Sequence, residues 1–216
     1  MYKCACIDCS SLVQRGEEYK SHNYDFSQNS YCGHLACTSI ATLMACSMAD
    51  NDTISRFDPE DGAKMAFLVE FGSGLWKENT NRASDESVQS IIDKHTFFKT
   101  GVNYDNESYQ GVVGSYVAEG RINLNLLLKE IQKTCAKRGS TGAVMTDNVV
   151  SFAVGMVGIP TPRWVIFDSH SPSARYYTAP AADLAYVEHK VKTLMCKKNG
   201  LFDCTVFWRH EQPSTQ

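Results

Sequence analysis

The 216-residue chain contains no uninterrupted apolar stretch of the length a bilayer-crossing helix needs, roughly twenty residues, which excludes a helical membrane span. It also has no run of lysine or arginine, and its formal net charge is -3. Neither nucleic acid nor an anionic membrane surface would find an electrostatic footprint on it. Met1-Tyr-Lys-Cys-Ala-Cys carries no apolar core of signal-peptide length. Internal repeats, low-complexity tracts and Pro/Ser-rich linkers are missing too, so a single domain is the economical expectation. That domain is placed over 21–210, after a cysteine-rich irregular segment over 1–20 and before a flexible tail over 211–216. The expected setting is soluble and cytoplasmic.

Against these absences stands an odd and high number of cysteines, nine. A secreted disulfide framework normally shows an even count in a short chain with a signal peptide. Reduced thiols acting as small buried hydrophobes fit better. Cys4, Cys6 and Cys9 are close enough to hold zinc if His22 or Cys32 supplied a fourth ligand. A structural zinc site generally pairs two ligand units, and no second Cys-x-x-Cys exists, so no metal or other cofactor is expected.

Periodicity divides the chain into helices first and strands afterwards. Residues 36–49 read as a helix buried on most sides. Residues 58–71 read as a second, with Gly72 just past its end, and 84–94 as a third with Ser84 as its cap. After a Gly- and Tyr-rich stretch, 123–137 is amphipathic, with Leu124, Leu127, Leu128, Ile131 and Cys135 on one face. The runs 142–146, 149–157, 164–167 and 176–178 are β-branched and aromatic between turn residues. A helix over 181–197 and a strand over 204–209 follow. Residues up to about Ser30 read as an irregular lead-in. This order predicts an α+β fold with helices packed on a mainly antiparallel sheet.

Two segments carry chemistry. In the first, Gln28 precedes Cys37, which opens the first helical pattern behind the small Ala36. A helix start favours a thiolate through its dipole and unpaired first-turn amides. A core cysteine is the plain alternative, and Cys32, followed by Gly33, is the rival thiol. Cys37 is preferred because the helix begins there. In the second segment, the apolar Trp164-Val-Ile-Phe ends in Asp168-Ser-His170. Alternation along an extended strand would put Asp168 and His170 side by side, so that the carboxylate orients the ring toward a nucleophile. The same string would also serve as a simple strand terminator. Gln28 could donate its side-chain amide to an oxyanion, with the Cys37 N–H as partner, or could be a solvated loop residue.

With Gln28, Cys37-Thr-Ser-Ile-Ala-Thr-Leu and Phe167-Asp168-Ser-His170-Ser in that order, the chain resembles the amino-terminal deubiquitinase domain of herpesvirus large tegument proteins and related tegument-like deubiquitinases. Leu68-Val-Glu-Phe-Gly-Ser-Gly-Leu-Trp, Tyr109-Gln-Gly-Val-Val-Gly and Gly142-Ala-Val-Met-Thr leading to Ser151-Phe-Ala-Val extend the likeness from about Tyr24 onward. The resemblance implies a papain-like cysteine peptidase fold and hydrolysis of isopeptide bonds at the ubiquitin C terminus. By position, Cys37 is then the nucleophile, His170 the general base, Asp168 its orienter and Gln28 the oxyanion donor. Ubiquitin or polyubiquitin is the implied partner, met in a host cytoplasm or nucleus if the source is viral or a secreted effector. A Gly-Gly tail calls for a narrow channel, for which Trp164, Tyr176 and Tyr177 are candidate walls. Glu70, Asp85 and Glu86 are candidates to meet a basic tail. The enzymatic alternative is a deamidase or transglutaminase-like acyl transfer, and the non-enzymatic one is a ubiquitin- or metal-binding module.

Overall fold

Gly142 and Gly155 sit opposite each other on adjacent strands, and their missing side chains decide how the first helix lies on the sheet. A Cβ on Gly142 would stand 2.0 Å from the Ala45 carbonyl oxygen, and one on Gly155 would stand 3.0 Å from the Met48 sulfur. The helix α1 (Cys37–Ala49) therefore presses its backbone almost onto the strands. Its own composition of Ala, Ser, Thr and Cys permits this, and every residue except Ser47 is buried. The computed structural model describes residues 19–31, 35–50, 57–79, 87–95, 102–104, 109–114, 117, 119–147, 149–158, 161–170, 172–195 and 200–209. The Cys4, Cys6 and Cys9 segment, Cys32, His34, Asp85, Glu86 and the 211–216 tail lie outside them.

The sheet comprises β1 (Lys20–Asn23), β2 (Val102–Tyr104), β3 (Tyr109–Val112), β4 (Ile122–Asn123), β5 (Thr141–Thr146), β6 (Ser151–Val157), β7 (Arg163–Asp168), β8 (Arg175–Pro180) and β9 (Leu201–Arg209). Their order is β1-β8-β7-β6-β5-β9-β3-β4, with β2 also on β9. Every pairing is antiparallel except β3 with β4. Helices cover both faces. On one lie α1, α2 (Gly62–Asn79) and α3 (Val88–Lys94), and on the other α4 (Leu124–Arg138) and α5 (Leu184–Leu194). Strand alternation sorts the core accordingly: Val165 and Phe167 pack toward α1, Trp164 and Ile166 toward α4 and α5. Each fully buried apolar side chain of this size stabilises by about 1.5–3 kcal/mol relative to exposure.

The α+β architecture read from the sequence, helices packed on a mainly antiparallel sheet, is the one observed. Several boundaries differ for identifiable reasons. Helix α2 runs through Gly72, because a Cβ there would sit 2.8 Å from the Ile40 Cα; the glycine is a crossing point with α1, not a stop. The cap of α3 is Ser87, whose hydroxyl accepts from Ser90 N–H at 3.1 Å. Helix α5 starts after its cap Asp183, later than its apolar pattern suggested. The lead-in before Ser30 contains β1 on the sheet edge and a tight 3-10 turn over Gln28–Ser30. Among the described residues no helix is long and apolar enough to cross a membrane.

Candidate active site

Cys37 is the first residue of α1, and its N-cap Ala36 offers no side chain to the first-turn amides. The positive end of the helix is therefore directed at the thiol. The residue is 8% exposed, enough burial to suppress a thiolate unless something holds the charge. His170 does most of this: burial acts to raise the Cys37 thiol, and the hydrogen bond and charge of His170 together with Ser151 outweigh it, holding the thiol below its ordinary value. The N–H and hydroxyl of Ser151 act in the same direction.

The imidazole is gripped from behind. His170 Nδ1 lies 2.5 Å from Asp168 Oδ1, and the same oxygen accepts the His170 backbone N–H at 3.1 Å. This double contact is a turn closed by the aspartate side chain. The strand-alternation expectation is thus corrected in its geometry: β7 ends at Asp168, and the pair meets through a turn. With Nδ1 on the carboxylate, Nε2 is the ring nitrogen that faces Cys37. Burial acts to lower the imidazole's affinity for its proton. The Asp168 and Cys37 hydrogen bonds and charges overcome it and push His170 up to about 9. Asp168 is itself kept below the ordinary carboxylate range, because His170 and Arg175 together outweigh its burial.

Arg175 is a participant that the sequence reading missed. It opens β8 directly across from Asp168, and its Nε donates to Oδ2 at 3.1 Å. An opposite charge seven positions on, across a hairpin, was the available signal. Ser169 was missed as well. Its carbonyl accepts the Gln28 N–H at 2.8 Å, and its hydroxyl donates to Gln28 Oε1 at 3.2 Å. These bonds fasten Gln28 to the residue between Asp168 and His170. Gln28 is 2% exposed, so it is not a solvated loop residue. With Oε1 committed to Ser169, the Nε2 end of the amide points the other way.

The proposed channel walls separate. Trp164 is fully buried on the α4 and α5 side, where its indole N–H donates to Ala181 O at 3.2 Å. It is a core residue on the far face of the sheet, which corrects its placement at the cleft. Tyr177 turns the same way, under the Lys190 ammonium at 4.8 Å from its ring centre. Tyr176 is on the α1 face, buried in an aromatic cluster with its ring centre 5.8 Å from that of Tyr24. Glu70 is exposed on α2, and burial followed by its charge pushes up the phenol of Tyr31, just beyond the Gln28 turn. The described free cysteines Cys46, Cys135 and Cys204 are buried, as small hydrophobes would be.

Chemically, the assembled groups amount to a thiol paired with an imidazolium, a doubly held carboxylate behind it, and an anchored amide alongside. No family model matches the sequence, and no curated protein matches it. Among solved structures, the chain is similar to the cysteine protease-like domain PatoxP of the Photorhabdus asymbiotica toxin PaTox, with TM-score 0.40 and 10% identity over 86% of this chain and 53% of that one. It is also similar to the ubiquitin-specific protease encoded by murine cytomegalovirus tegument protein M48, crystallised with a ubiquitin-based suicide substrate. That likeness has TM-score 0.61 and 13% identity, and covers 91% of this chain and 88% of the viral one. The chain therefore has the fold of a viral ubiquitin-specific protease.

Proposed function

We propose that the chain is a cysteine-dependent deubiquitinase that hydrolyses isopeptide bonds at the ubiquitin C terminus. The observation that carries this reading is the relay from Cys37 to His170 to Asp168, set on a fold shared with a ubiquitin-specific protease. The Cys37 thiolate attacks the carbonyl carbon of the terminal glycine, and the displaced π electrons make an oxyanion. Gln28 and the Cys37 N–H donate to that oxygen. The oxyanion collapses, the C–N bond breaks, and His170 gives its Nε2 proton to the departing lysine amine. The neutral imidazole next takes a proton from water. The resulting hydroxide opens the thioester, the thiolate leaves, and the ubiquitin carboxylic acid departs after giving its proton to solvent. Ubiquitin as substrate places the activity in a cytoplasm or nucleus.

A ubiquitin probe with an electrophilic C terminus tests the reading. Wild-type protein is expected to be captured covalently, while Cys37→Ala is not, and hydrolysis of a ubiquitin-lysine isopeptide conjugate should follow the same pattern. No capture and no hydrolysis by a folded wild type would overturn it. Release of ammonia from a glutamine peptide would instead mark the deamidase alternative.

A further inference from the structure

A chain of three hydroxyls lies beneath Cys37 on the strand side. Ser151 Oγ is 2.9 Å from Thr38 Oγ1 and 3.0 Å from Thr146 Oγ1. Ser151 is 1% exposed and Thr38 is buried. Buried hydroxyls are costly unless satisfied, and a valine or alanine would fill such positions without that cost. Two such buried hydroxyls, Thr38 and Ser151, meet the half-buried hydroxyl of Thr146 beside the nucleophile, drawn from α1, β6 and β5. Thr38 adjoins Cys37 on the helix, Thr146 is the cross-strand partner of Ser151, and Ser151 opens β6.

The backbone explains why Ser151 can reach the thiol. The β6–β7 ladder runs from Val157 opposite Arg163 to Ala153 opposite Phe167 and stops short of Ser151. The chain turns off at Asp168 to form the His170 turn, and the Ser169 carbonyl receives the Gln28 N–H instead. The Ser151 N–H is therefore not spent on that ladder. Ser151 Oγ lies 2.9 Å from the hydroxyl of Thr38, the residue next to Cys37, and the Ser151 N–H and hydroxyl both act to lower the Cys37 thiol. His170 and Ser151 thus both act on the Cys37 thiol, one from the turn after β7 and the other from the start of β6. If Ser151 donates its single hydroxyl hydrogen to sulfur, both threonines donate to Ser151 Oγ, and each polarises that O–H further.

We propose that Ser151, backed by Thr38 and Thr146, is a positioning residue that holds the Cys37 thiolate by its hydroxyl and its backbone N–H. The proposal deepens the cysteine-hydrolase reading of this site but concerns the thiolate itself, so it can be tested without ubiquitin. The experiment follows the rate of Cys37 carboxamidomethylation by iodoacetamide against pH, read by mass spectrometry of the Cys37 peptide. Circular dichroism checks that each variant is folded. A hydrogen bond to a charged group is worth enough to move the midpoint of Ser151→Ala upward by about one pH unit. Below the midpoint this slows alkylation about tenfold. Ser151→Thr keeps the hydroxyl at a strand position that tolerates β-branching, and should restore the wild-type midpoint.

A Ser151→Ala midpoint within about 0.2 pH unit of wild type, in a folded protein, overturns the proposal. So does a Ser151→Thr midpoint displaced as far as that of Ser151→Ala. Should Ser151→Ala not fold, Thr146→Val decides. It leaves Ser151 in place and removes one donor to its oxygen, so the midpoint should rise in the same direction, and an unmoved one overturns the idea. A shifted alkylation profile in a protein without ubiquitin activity would support the Ser151 role and reject the ubiquitin substrate. An unshifted profile in an active deubiquitinase would do the reverse.

Discussion

Arg175 and His170 hold opposite oxygens of the Asp168 carboxylate: Nε of Arg175 on Oδ2 at 3.1 Å, Nδ1 of His170 on Oδ1 at 2.5 Å. The arginine fixes the carboxylate plane, and the plane fixes the ring. Arg175 is partly exposed, so solvent screens its charge and its effect is modest. Arg175→Met should lower kcat about fivefold, equivalent to about 1 kcal/mol, with KM little changed. Asp168→Asn removes the acceptor that keeps the proton on Nδ1, and should cost about 10²- to 10⁴-fold. Equal losses in the two variants, measured on a ubiquitin-lysine conjugate, would refute this division of labour.

The pH profile follows from the same pair. Cys37 is held below the ordinary thiol value and His170 is raised to about 9. The reactive thiolate–imidazolium state therefore exists above the first and below the second. Activity should rise on the acid side as the thiol ionises, and fall as pH passes about 9, when His170 loses the proton that the leaving amine needs. Stability has the same sign at the alkaline end. A histidine raised on folding stabilises fully below its unfolded value, and that contribution is lost as pH rises through about 9. His170→Gln should flatten the alkaline limb of denaturant stability, a change that urea titrations at several pH values would detect.

How much was legible in the sequence depends on whether the determinant was local. Cys37 at a helix start and the helix face of Leu124, Leu127, Leu128 and Ile131 follow from periodicity, and the structure has both. Asp168 and His170 were paired for a reason that the turn replaced, because alternation says nothing about where a strand stops. Trp164 was assigned to a cleft although its neighbour Val165 faces the site side; one residue of strand phase decides the face, and no local signal fixed that phase. Arg175 and Ser169 depend on the register of a hairpin and the seating of a distant turn. Both are tertiary facts.

The close seating of α1 makes Gly142 a stability determinant for the site. A Cβ at 2.0 Å from the Ala45 oxygen meets backbone, which cannot swing aside as a side chain would. Gly142→Ala should therefore push the helix outward and destabilise the fold by about 1–3 kcal/mol, in the range of overpacked cores. Gly74, with nothing near its Cβ position and in the body of α2, provides the control. Gly74→Ala should be neutral or stabilising by up to about 1 kcal/mol through helix propensity. Chemical denaturation of the two variants reads the contrast, and similar midpoints would remove the tight-packing argument.

Gln28 offers the sharpest separation of binding from chemistry. Its amide oxygen is held by the Ser169 hydroxyl and its backbone by the Ser169 carbonyl, so Ser169 helps to set the orientation of Nε2. If Nε2 serves a developing oxyanion, its loss weakens the transition state and leaves the resting thiolate alone. Gln28→Ala should then reduce kcat by about 10²-fold while Cys37 alkylation by iodoacetamide keeps its wild-type rate. Ser169→Ala keeps the backbone anchor and removes only the hydroxyl that holds Oε1, so a smaller loss of about threefold to tenfold is expected. A Gln28→Ala variant that alkylates slowly as well would instead make Gln28 a support for the Asp168–His170 turn, since its N–H anchors the residue between them.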